Sequence, residues 1–352
     1  MTNPVRVFDG HNDVLGRLVM SGVADPAGAF LNGSPDGHID LPRARKGGVA
    51  GGLFAVFCPS GGSFDFAEHR TPDGVDMPLP GLLALETAQA SLLAQVALLR
   101  RILDQAGGRV ALCLNRADIE AAFAADRLAI VLHLEGAEPI DANFDMLEVL
   151  YAAGLRSLGP VWSRPNRYGH GVPFRFPSSP DTGPGLTDAG RDLVRQCNRL
   201  GMLIDLSHIT EQGFWDVAKL SQSPLVATHS NAHALCPAAR NLTDRQLDAI
   251  RDSDGMVGLN FATAFLRDDG DMRADTDMAL MVRQLDYLIE RLGEGRVGFG
   301  SDFDGAVVPE AIGDIAGMPA LIKALADAGY GQELVERLAW RNWMDVLGRI
   351  IG

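Results

Sequence analysis

The stretch AIVLHLE, residues 129–135, decides the fold class, because it is apolar until it closes on His133 and Glu135. A continuous apolar run of this length predicts a strand buried on both faces, as in a parallel sheet. Seven further runs of this kind follow the same pattern along the chain: Val5–Asp13, Val49–Phe57, Leu155–Val161, Met202–His208, Leu225–His229, Met256–Phe261 and Val297–Asp302. The sequence therefore predicts eight buried strands.

Amphipathic stretches separate these strands and predict helices. They are Leu82–Leu103, Phe144–Ala153, Asp188–Leu200, Glu211–Lys219, Thr243–Arg251, Asp277–Leu292 and Gln332–Ile350. Repeated strand–helix alternation predicts a single (β/α)₈ TIM barrel over residues 1–352, with an open doubly wound sheet as the alternative on pattern alone. Pro59–Pro80 and Ser163–Gly185 are long loops, which we expect to shape a binding site at the C-terminal face.

Composition excludes several classes of protein. The 352 residues are 47% hydrophobic, and 31 Lys+Arg against 45 Asp+Glu give a net charge of −14. A surface this acidic argues against nucleic acid or an anionic membrane as the partner. The sequence has no signal-peptide pattern and no apolar run of about 18 residues. The four cysteines are widely spaced without a CxxC motif, so we expect a reducing, cytoplasmic location.

Predicted strands end on metal-binding side chains. Six such residues lie at or near these ends: His11, Asp13, Glu135, His208, His229 and Asp302. One zinc ion takes about four ligands, so six potential ligands favour two ions roughly 3.5–4 Å apart. Glu135 is the candidate bridge, and a hydroxide shared by the two ions would be the nucleophile.

Six motifs resemble those of the renal (membrane) dipeptidase family, in the amidohydrolase superfamily. They are DGHND (9–13), HLEGAE (133–138), LIDLSH (203–208), THSNAH (228–233), ARNLTD (239–244) and GFGSDFDG (298–305). The resemblance implies a binuclear zinc dipeptidase, in many members tolerant of a C-terminal D-residue, and a homodimer.

Carried over motif by motif, the resemblance assigns a role to each site residue. One zinc would take His11, Asp13 and Glu135, and the other would take Glu135, His208 and His229. Arg240 would bind the C-terminal carboxylate of the substrate, since a guanidinium matches a carboxylate in shape and charge. Asp302 would handle the proton of the attacking water, or it could serve only as a ligand.

One position departs from the family pattern. Trp162 aligns with a family histidine that contacts the oxygen of the tetrahedral intermediate. The Trp162 indole can donate one hydrogen bond but carries no charge, and it could also simply fill the pocket wall. His170, on the same long loop, is a possible replacement, and Arg164, Arg167 and Arg175 of that loop could contact substrate instead.

Two other functions fit the same residues. An enzyme that removes the acyl group from an N-acyl-amino acid would also use Arg240, because that substrate ends in a carboxylate. A non-catalytic barrel that binds peptides is the alternative from a different class. His133, two residues before Glu135, should point inward one layer deeper and support the site rather than bind metal.

Overall fold

Eight parallel strands form a nearly closed barrel in the computed structural model, which describes residues 5–61 and 66–352. In chain order the strands are β1 (Val7–Asn12), β2 (Val49–Phe57), β3 (Arg70–Thr71), β4 (Gly74–Met77), β5 (Val110–Leu112), β6 (Leu128–Glu135), β7 (Leu155–Gly159), β8 (Phe174–Phe176), β9 (Leu203–Ile204), β10 (Val226–Ala227), β11 (Met256–Asn260) and β12 (Val297–Gly300). The barrel order is β10-β11-β12-β1-β2-β6-β7-β9, and a parallel bridge between Asp205 and Val226 joins its two ends. The predicted (β/α)₈ fold is confirmed.

Helices connect the strands and pack outside them. They are α1 (Val14–Met20), α2 (Pro26–Asn32), α3 (Leu41–Lys46), α4 (Leu85–Gln105), α5 (Arg116–Ala124), α6 (Asp145–Ala152), α7 (Asp188–Leu200), α8 (Glu211–Leu220), α9 (Asp244–Asp252), α10 (Ala279–Leu292), α11 (Met318–Asp327), α12 (Gln332–Glu336) and α13 (Asn342–Ile350). A π-helical turn, Arg337–Arg341, joins the last two. The sequence analysis missed α1–α3, α5 and α11, which have at most 10 residues and therefore little periodicity.

The barrel has two apolar layers, which β6 illustrates. Ile130, Leu132 and Leu134 point outward and pack with the helices. Ala129 and Val131 point inward, into a second apolar cluster that includes Trp343 of α13. His133 and Glu135 continue the inward row. The barrel interior therefore changes from apolar to polar toward the C-terminal ends of the strands.

The two long loops meet in a small antiparallel sheet of order β3-β4-β8. Within it, β4 of the first loop pairs with β8 of the second, with Val75 opposite Phe176 and Met77 opposite Phe174. Residues 62–65 of the Pro59–Pro80 loop lie outside the described residues. Phe66, Val75 and Met77 pack on the same apolar cluster as Phe265. The two predicted binding loops therefore form one structural unit.

Two further features bear on the sequence predictions. Within the two described ranges, every helix is too short or too polar to cross a membrane. The four cysteines, all in the described part of the chain, are buried free thiols.

A close approach at Gly10 generates a stability prediction. A Cβ added there would lie 2.2 Å from Cζ2 of Trp343 and 2.8 Å from the carbonyl oxygens of Phe299 and Thr228. Because backbone and a buried indole cannot easily yield, we expect Gly10→Ala to lower the free energy of unfolding by about 1–3 kcal/mol. Gly295→Ala is the control, since a Cβ there meets no atom within 4 Å. Thermal unfolding of both variants tests this, and equal melting temperatures would contradict it.

Candidate metal centre and active site

The five predicted metal ligands leave the C-terminal ends of four barrel strands. His11 is the penultimate residue of β1 and Asp13 lies just beyond its end, Glu135 ends β6, His208 follows β9 and His229 follows β10. The register of β1 against β2 shifts between Asp9 and Asn12, where His11 lies. Such irregularities re-aim side chains beside active sites. His208 and the nearby Asp302 have left-handed φ angles of 66° and 60°, a conformation that costs about 1–3 kcal/mol in a residue other than glycine.

Glu135 lies at the centre of this cluster. Its Oε1 atom is 3.1 Å from Nε2 of His208 and 3.4 Å from Nε2 of His229. The same oxygen is 3.6 Å from Nε2 of His11, which in turn lies 3.4 Å from Oδ2 of Asp13. The structure therefore brings all five predicted ligands together around one carboxylate oxygen.

The electrostatics of the cluster favour a bound cation. Burial lowers the pKa of His208 and His229 well below the usual range, which leaves neutral imidazoles with a free lone pair. Burial opposes a charge on His11 too, but the carboxylates of Glu135 and Asp13 outweigh it and raise the His11 pKa to about 10. The electrostatic potential at His11 is therefore strongly negative, and it would also attract a metal ion bound there.

Unpaired polar atoms test whether a metal fits. Both ring nitrogens of His11 and Oδ1 of Asp13 are buried and lack a hydrogen-bond partner among residues 5–61 and 66–352. Ligand atoms of His11, Glu135 and His229 lie within 4.8 Å of one another, as do those of His11, Asp13 and Asp302. Imidazole nitrogens and carboxylate oxygens are ligands that zinc takes in proteins. These residues fit divalent cations.

Asp302 lies beside the ligand cluster and is held by an amide. Nδ2 of Asn260 donates to Oδ2 of Asp302 at 2.9 Å and also lies 3.4 Å from the carbonyl oxygen of His229. Burial raises the pKa of Asp302, and Asp13 adds to this effect while His11 opposes it. Asn260 ends β11, and the sequence analysis missed it because it considered only titratable strand ends.

Arg240 is buried against the same strand end as His229. Its Nη1 donates to Oγ of Ser230 at 2.8 Å, and its Nη2 donates to the carbonyl oxygen of His229 at 2.9 Å. Its Nε is buried and has no partner in the described part of the chain. Burial lowers the Arg240 pKa to about 10, although Asp302 counteracts it, so the guanidinium is charged at neutral pH.

Trp162 and Phe174 form an aromatic wall beside His208. The centroid of the Trp162 ring is 5.7 Å from that of His208, and the Phe174 centroid is 6.2 Å from it. Trp162 also packs on Phe57 at 4.9 Å, and Phe174 stacks on Phe265 at 6.0 Å. The sequence analysis missed Phe174, whose place depends on pairing between two distant loops.

A buried ion pair supports the aromatic wall from behind. Nε of Arg164 donates to Oε1 of Glu138 at 2.8 Å, and both side chains are at most 1% exposed. The guanidinium carbon lies 5.2 Å from the Trp162 ring centroid and 5.5 Å from that of Phe57. Arg164 is therefore buried in the protein interior. This position does not support the contact with substrate that the sequence suggested for it.

His170 and the remaining loop arginines lie elsewhere. His170 is half-buried, and its Nδ1–H donates to the carbonyl oxygen of Gly185 at 3.2 Å. Arg175 pairs with Asp76 on the small sheet, and Arg167 is exposed. The rings that contact His208 from this part of the chain are those of Trp162 and Phe174, so a direct role for His170 stays a prediction.

Comparison with known proteins identifies the family. A family model described as membrane dipeptidase (peptidase family M19) matches residues 1–351. The chain belongs to the membrane dipeptidase family. It is a metallo-dipeptidase, and the resemblance inferred from the six motifs is confirmed.

Three similar proteins cover between 73% and 99% of the chain. The crystal structure of a metallo peptidase from Rhodobacter sphaeroides, liganded with a phosphinate mimic of the dipeptide L-Ala-D-Ala, has a TM-score of 0.96 and 50% identity and covers 99% of both chains. An uncharacterized protein in the pqqA 5′ region of Klebsiella pneumoniae is 54% identical, over 73% of this chain and 94% of that protein. Dipeptidase tcpJ from Claviceps purpurea is 26% identical, over 99% of this chain and 78% of that dipeptidase.

Proposed function

We propose that the chain is a binuclear zinc dipeptidase that hydrolyses free dipeptides, including those with a C-terminal D-residue. The observation that carries this proposal is the contact of one Glu135 oxygen with the Nε2 atoms of three histidines, beside the buried Arg240. The D-residue part is supported by the Rhodobacter sphaeroides relative, which is liganded with a mimic of L-Ala-D-Ala.

We assign the five predicted ligands to two zinc ions. His11, Asp13 and Glu135 would hold one zinc, while Glu135, His208 and His229 would hold the other, with Glu135 and a hydroxide as bridges. Bound divalent cations supply an acidified water and a Lewis acid for the peptide carbonyl. Glu135 suits the bridging role because its Oε1 is within 3.6 Å of nitrogen atoms from both ligand sets.

Arg240 would bind the C-terminal carboxylate of the substrate. Two of its nitrogens are occupied by Ser230 and His229, and these contacts hold the guanidinium rigidly beside the metal ligands. The buried Nε has no hydrogen-bond partner among the described residues, so its N–H would be left to donate to an incoming carboxylate. A guanidinium that is fixed beside His229 favours short substrates with a free C-terminus.

Asp302 would accept the proton of the attacking water and pass it to the leaving amine. Asn260 holds Oδ2, which would keep the carboxylate in one orientation and leave Oδ1 to accept the proton. Stabilisation of the developing negative charge on the carbonyl oxygen is assigned to His170, with the Trp162 indole as the alternative. A homodimer and a cytoplasmic location stay predictions from the sequence.

The first prediction concerns the metals. Elemental analysis of the zinc-loaded protein should give about two ions per chain. We expect Glu135→Gln to weaken the binding of both ions by about tenfold or more, because a neutral amide bridges two cations poorly. Glu86→Gln, at an exposed position of α4, is the matched control for the loss of one carboxylate. Full metal occupancy and activity in Glu135→Gln would remove Glu135 from the bridge.

The second prediction concerns substrate selection. Wild-type protein should cleave L-Ala-D-Ala and L-Ala-L-Ala, but it should cleave their C-terminal amides poorly. Arg240→Lys should lower kcat/KM for the free dipeptides by about tenfold or more, since lysine keeps the charge but loses the planar fork. The same substitution should change the cleavage of the amides little.

Two arms of this experiment separate the alternatives. Arg245→Lys, an exposed position on α9, is the matched control and should keep wild-type kcat/KM. Equal cleavage of amide and free acid would reject the carboxylate contact. Faster hydrolysis of an N-acetyl-amino acid than of a dipeptide with a free N-terminus would favour the deacylase alternative.

The third prediction concerns the missing family histidine. Loss of one donor to a developing oxyanion typically costs about 2.7–4 kcal/mol, or about 10²–10³ in kcat. His170→Asn should therefore lower kcat about a hundredfold or more with little change in metal content. Trp162→Phe should cost less, because the aromatic packing on Phe57 is kept. Wild-type turnover in His170→Asn would reject this role for His170.

A further inference from the structure

Two of the three metal-facing histidines, His208 and His229, are held from behind by a second contact. A histidine that binds a metal through one ring nitrogen usually donates its other N–H to a nearby acceptor, which fixes the tautomer and the ring orientation. Nδ1 of His208 lies 2.8 Å from Oγ of Ser163, and Nδ1 of His229 lies 2.8 Å from Oγ1 of Thr228. Both histidines therefore turn Nε2 toward Glu135.

Among the residues that the structure describes, only the contact behind His229 continues to a carboxylate. The Thr228 hydroxyl donates to Oδ2 of Asp205 at 2.6 Å. A hydroxyl has a single proton to donate, so Oγ1 of Thr228 must accept the Nδ1–H of His229. The direction of this chain is therefore determined: His229 donates to Thr228, and Thr228 donates to Asp205. Nε2 of His229 is left without a proton on the side that faces Glu135.

Asp205 is itself held in one orientation. Its Oδ1 accepts the backbone N–H of Ser207 at 3.0 Å and that of Thr228 at 2.8 Å. The side chain is 2% exposed, and the imidazoles of His133 and His229 lie 3.6 Å and 4.0 Å from its Oδ2. Arg240 contributes a more distant positive charge, but no lysine or arginine among the described residues forms a salt bridge with Asp205. A buried carboxylate without such a partner is costly unless another positive charge compensates it.

Asp205 also lies close to the third histidine. A ring nitrogen of His11, one of His133 and a carboxylate oxygen of Asp205 lie within 4.8 Å of one another. Nδ1 of His133 is 2.8 Å from Oγ of Ser157, and the rings of His11 and His133 pack edge to face at 5.4 Å. Asp205 thus lies close to both His11 and His229, which belong to the two different proposed zinc sites.

We propose that Asp205 and Thr228 are positioning residues of the metal centre. Together they form a buried carboxylate–hydroxyl–imidazole chain that keeps the proton of His229 on Nδ1 and its Nε2 lone pair toward the metal. The negative charge of Asp205 also favours the cations bound one layer above it. This inference rests on the proposed function, because it assumes that His229 is a metal ligand.

The structure predicts how each substitution alters the chain. Thr228→Val removes the hydroxyl and keeps the shape, so His229 loses its acceptor. In Asp205→Asn the two backbone N–H groups keep the amide oxygen at the Oδ1 position, and the new NH₂ group faces the Thr228 hydroxyl. The hydroxyl must then donate to Nδ1 of His229, which moves the histidine proton to the metal-facing nitrogen. Asp205→Asn should therefore be the more damaging change.

The test measures zinc affinity of the metal-free protein by competition with a chromophoric chelator. We expect Thr228→Val to weaken one of two zinc-binding steps by about 10–100-fold and Asp205→Asn to weaken it at least as much. Thr228→Ser keeps the hydroxyl and should restore wild-type affinity. Thr263→Val is the matched control, because Thr263 is buried and its hydroxyl has no partner among the described residues.

The outcomes separate this inference from the proposed function. A wild-type protein that binds fewer than two zinc ions would count against the binuclear proposal, whatever the variants do. Two tight sites in wild type, with unchanged affinities in Thr228→Val and Asp205→Asn, would overturn the positioning role alone. Thermal unfolding of the metal-free proteins shows whether each variant folds. If one of the two variants does not fold, the zinc affinity of the other decides the test.

Discussion

The constraint on which the site depends is the burial of carboxylates at the mouth of the barrel. Glu135 is 4% exposed, and both Asp13 and Asp302 raise its pKa in addition to burial. Burying an ionised carboxylate is costly unless it is paired, and carboxylates placed together repel one another. The arginine nearby, Arg240, already donates to Ser230 and to the carbonyl oxygen of His229. A cation between these groups removes the conflict, which explains why polar side chains converge here in an otherwise apolar barrel.

The surrounding residues strengthen the charge–charge interactions within this cluster and orient its side chains. Trp162 and Phe174 pack on His208 and keep the histidine buried, and a low local dielectric strengthens each charge–charge interaction within the cluster. Ser163 follows Trp162 directly and contacts Nδ1 of His208. One loop segment therefore supplies both the apolar wall and the polar contact that orients the ring. Backbone strain at His208 fits the same picture, because an unfavourable φ persists only where several contacts hold the residue.

The sequence predicted the barrel well because eight apolar runs carry the information locally. It also predicted that the chemistry would lie where those runs end, since parallel strands place their C-terminal ends at one face. The prediction failed where structure depends on distant pairing. β5 has three residues, and β8 becomes a strand only by pairing with β4. A strict alternation in β1 would also place Gly10 and Asn12, rather than His11, on the inward face, and the register shift after Asp9 changes this.

A tryptophan at position 162 has an electrostatic consequence for the site. A histidine at this position could carry a positive charge close to the reacting carbonyl, whereas an indole cannot. The guanidinium carbon of Arg164 lies 5.2 Å from the Trp162 ring centroid and brings a positive charge close to this position. However, its Nε donates to Glu138, so the pair is close to neutral and its field falls off quickly. Arg164 therefore stabilises the position of Trp162 and adds little charge to the site, so the positive charges beside the ligand cluster are those of Arg240 and of any metal ion that the cluster binds.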